Sequence, residues 1–260
     1  MSAATAVVTR AQRDAFVVSA HRRAVRKATR TLAGGSLLIG AMYWGIFLVI
    51  TVALPLIVDA AGGEISGGAM VGAEYSARWF AFSLGVVLFA MLLVSHLAAG
   101  GTRRALWTGS VRAVLVVGLA YGVTNSVALL VERGIFGALG WEKERLGSAL
   151  TPQDDWFVVS AAAESLAVAA YMLVAIAIAA GYYSHGVWRG TLLIVPGLVL
   201  LALADVTTRT GALDDALTAL LEPVLPTSAA VGLPACLVVV AASAGWLWWQ
   251  LRTLTLRPTR

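Results

Sequence analysis

Long apolar runs separated by short polar segments dominate this chain of 260 residues. Hydrophobic residues make up 59% of the chain, charged residues only 13%, and the mean hydropathy is +0.83. A water-soluble domain does not tolerate such values. The sequence therefore predicts an all-α integral membrane protein.

Six runs are long and apolar enough to be helices that cross a hydrocarbon layer of about 30 Å, for which roughly 20 residues are needed. The predicted transmembrane helices cover residues 37–58, 79–99, 113–131, 157–182, 188–204 and 233–251. The fifth is short, and Pro196 and Gly197 interrupt it. It either ends early or lets Arg189 extend its side chain toward water.

The distribution of basic residues between the loops predicts the orientation of the bundle, because loops that stay in the cytoplasm retain lysine and arginine. With the N-terminus inside, most of the 19 basic residues fall on the inner side. The outer side then receives almost every acidic residue. Both termini are therefore expected in the cytoplasm, and the net charge of +5 is explained by membrane orientation rather than by nucleic-acid binding.

Three parts of the chain follow from these spans. Residues 1–34 form a cytoplasmic tail whose segment 11–33 is predicted to be an amphipathic helix on anionic lipids of the inner leaflet, the alternative being a disordered basic tail. Residues 35–251 form the six-helix transmembrane domain, and residues 252–260 a cytoplasmic tail. Outside, residues 132–156 are predicted as a solvated loop. Leucines and acids at helical spacing over 213–222 predict a short extracellular helix between spans five and six.

Catalytic and nucleotide-binding motifs are missing from the sequence. It holds no phosphate-binding Gly-x-x-x-x-Gly-Lys-Ser/Thr loop, no His-Glu-x-x-His and no Gly-x-Ser-x-Gly. Cys236 is the single cysteine, and the three histidines are scattered, so neither a disulfide framework nor a metal site is expected. We expect the chain to bind no cofactor and to be no enzyme.

Polar residues within the spans are the first candidates for function. Glu164 lies about two turns into the fourth span and Asn125 in the outer half of the third, so the two side chains are expected at a similar depth. A carboxylate inside the membrane indicates a functional site, unless it merely bonds Asn125, Thr124 or a neighbouring hydroxyl to fix the bundle. Gly118 and Gly122 would let a neighbouring helix approach the third span closely.

A basic turn between spans two and three is the second candidate. It reads Gly100-Gly101-Thr102-Arg103-Arg104-Ala105-Leu106-Trp107. An arginine pair so close to lipid suggests a docking surface, although the general excess of basic residues in cytoplasmic loops also explains it.

The order of these parts resembles the permease subunits of type-2 ABC exporters, which carry drugs, lipids or polysaccharides out of bacterial cells. The likeness covers nearly the whole chain: a cytoplasmic N-terminal elbow, six spans, the basic turn, and an outer helix between spans five and six. In that family the turn often reads Gly-x-Ser/Thr-Arg, a basic residue, and then an apolar or aromatic one. The runs 129–132 and 136–141 are also similar to bacterial members.

The resemblance implies a coupling helix that inserts into a separate ABC-type ATPase subunit, which would bind MgATP. Arg103 and Arg104 would contact acidic groups of the ATPase, Trp107 would anchor the apolar side, and Thr102 and Leu106 would complete the contact. A second copy or a paralogous permease would complete a dimer in the bacterial plasma membrane. The alternatives are a stand-alone carrier or channel that uses Glu164, or an accessory membrane subunit.

Overall fold

The computed structural model describes residues 9–63, 70–141, 150, 156–209 and 228–254. These residues form six α-helices: α1 (Arg10–Ala60), α2 (Met70–Ala98), α3 (Arg103–Leu139), α4 (Trp156–Leu192), α5 (Ile194–Thr208) and α6 (Ala229–Arg252). In the described part of the chain there is no strand. Five helices, all except α5, are long and apolar enough to cross a membrane, which confirms the all-α multi-pass membrane class.

The fourth helix forms the centre of the bundle. Every residue from Ala167 to Ala177 is fully buried or nearly so, and the helix contacts α2, α3, α5 and α6. A helix that is apolar on all sides is stable only when neighbours surround it. On the outside, α1, α3 and α6 expose side chains such as Leu38, Met42 and Val238, as a lipid-facing surface requires.

Close packing between α3 and α4 confirms the role predicted for two small residues. A Cβ atom at Gly118 would lie 2.5 Å from the Ser165 carbonyl oxygen, and one at Gly122 would collide with the Ala161 carbonyl oxygen and the Ser165 side chain. Only glycine lets the two backbones approach this closely.

The N-terminal helix runs further than predicted. Residues 11–33 are helical as expected, but they do not form a separate helix, because α1 continues through Gly34 and Gly35 without a break. Packing on α3 begins at Val25, and the Thr29 hydroxyl donates a 3.1 Å hydrogen bond to the Gly109 carbonyl oxygen. That contact favours a straight continuation, so the expected boundary at residues 34–35 lies inside one helix.

The C-terminal end of α3 also differs from the prediction. Residues 132–139 continue the helix rather than opening a solvated loop, and Gly140, with φ +75°, ends it. Glu132 is fully buried, and its Oε1 accepts a 3.1 Å hydrogen bond from the Met70 backbone amide. The charge of Glu132 predicts the end of the third span, whereas its carboxylate is buried in the bundle and accepts a hydrogen bond from the first turn of α2. The predicted helix at 213–222 lies outside the described residues.

The fifth span is not confirmed as a crossing. Gly186, at φ +77°, breaks the helical path of α4, and residues 187–192 form the last turns before α5. At 15 residues, α5 is about 22 Å long at 1.5 Å per residue, short of a hydrocarbon layer of about 30 Å. Pro196 sits in the first turn of α5, where a missing N–H is tolerated, so it begins the helix instead of breaking it.

Candidate functional site

A buried ion cluster connects three helices near one end of the bundle. The Arg78 side chain on α2 is fully buried, and its Nε lies 3.2 Å and 3.1 Å from the two carboxylate oxygens of Glu164 on α4. Its Nη1 donates a 2.8 Å hydrogen bond to Oδ1 of Asp205 on α5. One guanidinium therefore holds two carboxylates, and through them α2 is tied to both α4 and α5.

Tyr171 completes the cluster from α4. Its hydroxyl donates a 2.6 Å hydrogen bond to Oδ2 of Asp205, so both oxygens of that carboxylate are bonded. Exposure of Glu164 is 2% and that of Asp205 is zero. Two carboxylates opposite one guanidinium leave an excess of one negative charge when all three groups are ionised. In a low-dielectric interior such charges are retained only when paired and hydrogen-bonded.

The predicted neighbour of Glu164 has a different partner. Asn125 is buried on α3, and its Nδ2 donates a 2.8 Å hydrogen bond to Oε1 of Glu74 on α2. Glu164 pairs with Arg78 and does not bond Asn125 or Thr124. Glu164 is buried in the bundle, whereas the partner that the sequence suggested for it was wrong.

Arg78, Asp205 and Tyr171 are functional candidates that the sequence reasoning missed. The second span was drawn from residue 79 and the fifth to residue 204, so that Arg78 and Asp205 fell just outside the apolar runs. One signal was available. Arg78 and Asp205 carry opposite charges and fall at the same end of two predicted spans, and charged residues at the ends of spans often pair with one another.

The basic turn between α2 and α3 is short, and hydrogen bonds close both of its ends. Gly100 has φ +77°, and the Gly101 amide donates a 2.9 Å hydrogen bond to the His96 carbonyl oxygen, which closes the end of α2. The Thr102 hydroxyl accepts a 3.1 Å hydrogen bond from the Ala105 amide and caps α3. No separate coupling helix forms in these described residues, since Arg103 is already the first residue of α3.

Two of the five predicted contact residues point into the bundle. Leu106 is fully buried. The Trp107 Nε1 donates a 2.8 Å hydrogen bond to the Ala244 carbonyl oxygen on α6, and its ring meets Trp248 edge-on at 5.7 Å between centroids. Trp107 thus joins α3 to α6 rather than standing out as a surface anchor.

The remaining members of the turn are at the surface. Thr102, Arg103 and Arg104 are exposed, and the Arg103 Nη1 donates a 3.0 Å hydrogen bond to the Arg252 carbonyl oxygen at the end of α6. Other exposed basic residues belong to the same end of the bundle, which we call the basic end: Arg10, Arg13, Arg22, Arg23, Arg26, Lys27, Arg30, Arg112, Arg189 and Arg252. Asp14 is the acidic residue described at this end.

An apolar groove lies between α2 and α5, with α4 as its floor. Its volume is about 490 Å³. Trp79, Phe82 and Val86 of α2 face Leu198 and Leu201 of α5 across it. The groove lies beside the ion cluster, because Trp79 follows Arg78 in the chain and contacts Tyr171 edge-on at 5.4 Å between ring centroids.

The described residues hold no group of three or more His, Cys, Asp or Glu side chains that is placed to bind a metal ion. The fold and the site together define a multi-pass helical membrane protein with a charged interior and a cationic end. Comparison with protein-family models, with curated proteins and with solved structures gave no match.

Proposed function

We propose that the chain is the membrane subunit of an ATP-driven exporter of the type-2 ABC class, in the bacterial plasma membrane with both termini in the cytoplasm. A separate ABC-type ATPase would bind MgATP and dock at the basic end. A second permease, either a copy or a paralogue, would complete the transporter. The resemblance in the order of the spans and the basic turn suggests this class.

The observation that carries the proposal is the exposed arginine pair at the start of α3. Arg103 and Arg104 occupy the first turn of a helix, where the unpaired backbone N–H groups already make the environment positive. Cations there cost roughly 0.3–1 kcal/mol each at low ionic strength. The pair does not stabilise its own helix, but it would bind an acidic surface strongly, together with the helix N-terminus.

The packing of the turn would transmit a movement of the bound ATPase to the interior of the helix bundle. Trp107 joins the first turns of α3 to α6, and the Gly101 hydrogen bond joins the turn to α2. Further along α2, Arg78 ties that helix to Glu164 and Asp205. Movement of the ATPase would in this way shift the position of α2 relative to α4 and α5. A ligand-driven switch between two packed states operates by such a shift.

The test is purification from native membranes in a mild detergent, followed by identification of the proteins retained. We expect a P-loop ATPase to accompany the wild-type chain. Arg103→Glu combined with Arg104→Glu should remove it while leaving membrane insertion intact, because both attractive charges become repulsive. The matched control, Arg103→Lys with Arg104→Lys, keeps both charges and should retain most of the ATPase.

Full retention of the ATPase by the glutamate pair would refute the docking role. Absence of any ATPase from the wild-type purification would refute the proposed class. When the double-glutamate variant retains the ATPase but loses ATP-dependent transport, the turn acts in coupling and other residues provide the affinity.

A second candidate is a stand-alone carrier or channel, and the buried ion cluster is the observation that favours it. Carboxylates inside a membrane mark proton and ion pathways in many carriers. This candidate predicts that Glu164→Gln abolishes transport into vesicles that contain no ATP, whereas an ATP-driven exporter shows no transport there at all. An accessory subunit would co-purify with other membrane proteins and show neither activity.

A further inference from the structure

We propose that Arg26, Arg30 and Arg112 bind the headgroup of an anionic phospholipid, and we call these three residues the arginine site. The site lies where the spanning helices α1 and α3 meet, on the side that faces lipid. Binding requires only this chain. It does not depend on an ATPase or on transport, so it can be tested separately from the function proposed above.

Contacts between α1 and α3 bring the three arginines to nearly the same level. The Thr29 hydroxyl donates a hydrogen bond to the Gly109 carbonyl oxygen, and contacts further along show that the two helices run in the same direction. Arg30 follows Thr29 by one residue, and Arg112 follows Gly109 by three. At 1.5 Å per residue, the levels of Arg30 and Arg112 differ by only about 3 Å. Arg26 lies about one turn before Arg30 on α1.

The three arginines also lie on one side of the α1–α3 contact, away from α2. On α1, Gly35 packs against a leucine of α2. Arg26 precedes Gly35 by about two and a half turns, so it lies on the opposite side of the helix, and Arg30 is one turn further along that side. On α3, Asn125 donates a hydrogen bond to a glutamate of α2. Arg112 precedes Asn125 by about three and a half turns and therefore also faces away from α2.

The length of α3 places Arg112 at the boundary of the hydrocarbon layer. The sequence has no charged residue between Arg112 and Glu132, and their separation along the helix is about 30 Å, the thickness of that layer. Val116 and Leu119 follow Arg112 by one and two turns on the same side of α3, and they are 49% and 60% exposed, as contacts with acyl chains require. The arginine site therefore lies at the level of the phospholipid headgroups.

The charges around the site select an anionic headgroup. The three arginine side chains are exposed, and in the described part of the chain none of them has a hydrogen bond or an ion pair. A guanidinium binds phosphate through two parallel N–H groups. The other charged residues nearby have the same sign: Arg22, Arg23, Lys27 and Arg104. Asp14, the acid described at this end, is about 18 Å from Arg26 along α1. Basic sites between spanning helices bind such headgroups.

The experiment measures binding of cardiolipin to the purified full-length chain by native mass spectrometry in a neutral detergent. Cardiolipin carries two phosphates, and phosphatidylcholine, whose headgroup is neutral overall, is the matched control lipid. Soluble glycerol phosphate supplies the same phosphate chemistry without acyl chains. We expect cardiolipin to bind at least about tenfold more tightly than phosphatidylcholine, and we expect an excess of glycerol phosphate not to displace it.

Two triple variants locate the site. The site variant carries Arg26→Gln, Arg30→Gln and Arg112→Gln. Each arginine beside an anionic lipid contributes about fivefold to the affinity, so the site variant should bind cardiolipin roughly a hundredfold more weakly. The control variant removes the same charge from exposed positions elsewhere at the basic end, through Arg10→Gln, Arg13→Gln and Arg252→Gln. It should weaken binding by no more than about threefold. Lysine at the three positions of the site keeps the charge and should retain most of the affinity.

Equal affinity for cardiolipin and phosphatidylcholine would overturn the selection by charge. Equal weakening in the site variant and the control variant would overturn the location. Displacement of cardiolipin by glycerol phosphate would overturn the lipid as the occupant, because the site would then bind a soluble phosphate. None of these results bears on the ATPase, whose co-purification tests the proposed function independently.

Discussion

Arg78 carries a full charge in the interior of the bundle, and only its two carboxylate partners make this tolerable. Taking one charge out of water costs several kcal/mol, and the attraction between the ions offsets that cost only when the geometry is good. Here both carboxylate oxygens of Asp205 have a donor, and Glu164 faces the guanidinium with both oxygens. Loss of a single member of the cluster should therefore destabilise the protein strongly, because it leaves a buried charge without its partner.

Removal of the arginine alone should be severely destabilising. Arg78→Met leaves two unpaired carboxylates inside the bundle, which should cost about 3–5 kcal/mol. Unfolding of the purified chain by sodium dodecyl sulfate measures this loss. When Arg78→Met is combined with Glu164→Gln and Asp205→Asn, no charge remains and most of the stability should return. A single variant as stable as wild type would show that the three side chains do not meet.

Trp107 offers a test of whether the start of α3 is packed against α6. Trp107→Ala should lower the unfolding free energy by about 2–3 kcal/mol, since a hydrogen bond to Ala244 and half-buried ring contacts are lost. Trp188, which is 89% exposed, is the control, and Trp188→Ala should change it by no more than about 0.5 kcal/mol. If Trp107 stood out as a surface anchor, the two variants would be equally mild.

The sequence predicted only part of the site. An isolated Glu164 in an apolar run is visible because a carboxylate is so rare there. Its partners were hidden, because a charge at the edge of an apolar run is equally typical of the end of a span. Only the three-dimensional depth of Arg78 and Asp205 separates these two interpretations. Arg103 and Arg104 were predicted correctly as surface residues. The burial of Leu106 was not predicted, because which side of α3 it lies on depends on the residue at which that helix begins.

Among the helices, the pair α3 and α4 depends on two glycines. Gly122→Ala places a methyl group against the Ala161 backbone and the Ser165 side chain, and the overpacking should cost about 1–3 kcal/mol. At Gly134, on the same helix, an added methyl group would meet no atom within 4 Å, so Gly134→Ala should instead be neutral or stabilise by up to about 1 kcal/mol. Thermal unfolding of both variants checks the contrast. Equal loss in both would contradict the close approach.

Element boundaries were harder to predict than element types. The length of the apolar runs identified five of the long helices, because a helix in lipid must satisfy the hydrogen bonds of its own backbone. Continuation of α1 through Gly34 and Gly35 was missed, since glycine is a weak helix former and the packing of Gly35 against Leu88 of α2 is not visible in the sequence. For α5, Pro196 was interpreted as a break, although a proline in the first turn costs no hydrogen bond.

At the scale of the whole molecule, the basic end and the ion cluster lie at opposite ends of α2. Arg78 is eight residues after the start of that helix, and the Gly100 turn follows its last residue. A rigid helix therefore connects the surface where we propose the ATPase docks with the cluster that borders the groove. The helix can transmit movement of the ATPase to the cluster only when the basic end faces the compartment that holds ATP.

The most direct measurement is the accessibility of position 103 from outside the cell. Arg103→Cys is made in a Cys236→Ala background, and a membrane-impermeant maleimide is added to intact cells and to inside-out vesicles. The account predicts labelling in the vesicles and none in the cells, while the exposed Asp59→Cys at the opposite end shows the reverse. Labelling of position 103 in intact cells would contradict the account, because no cytoplasmic ATPase could then reach the turn.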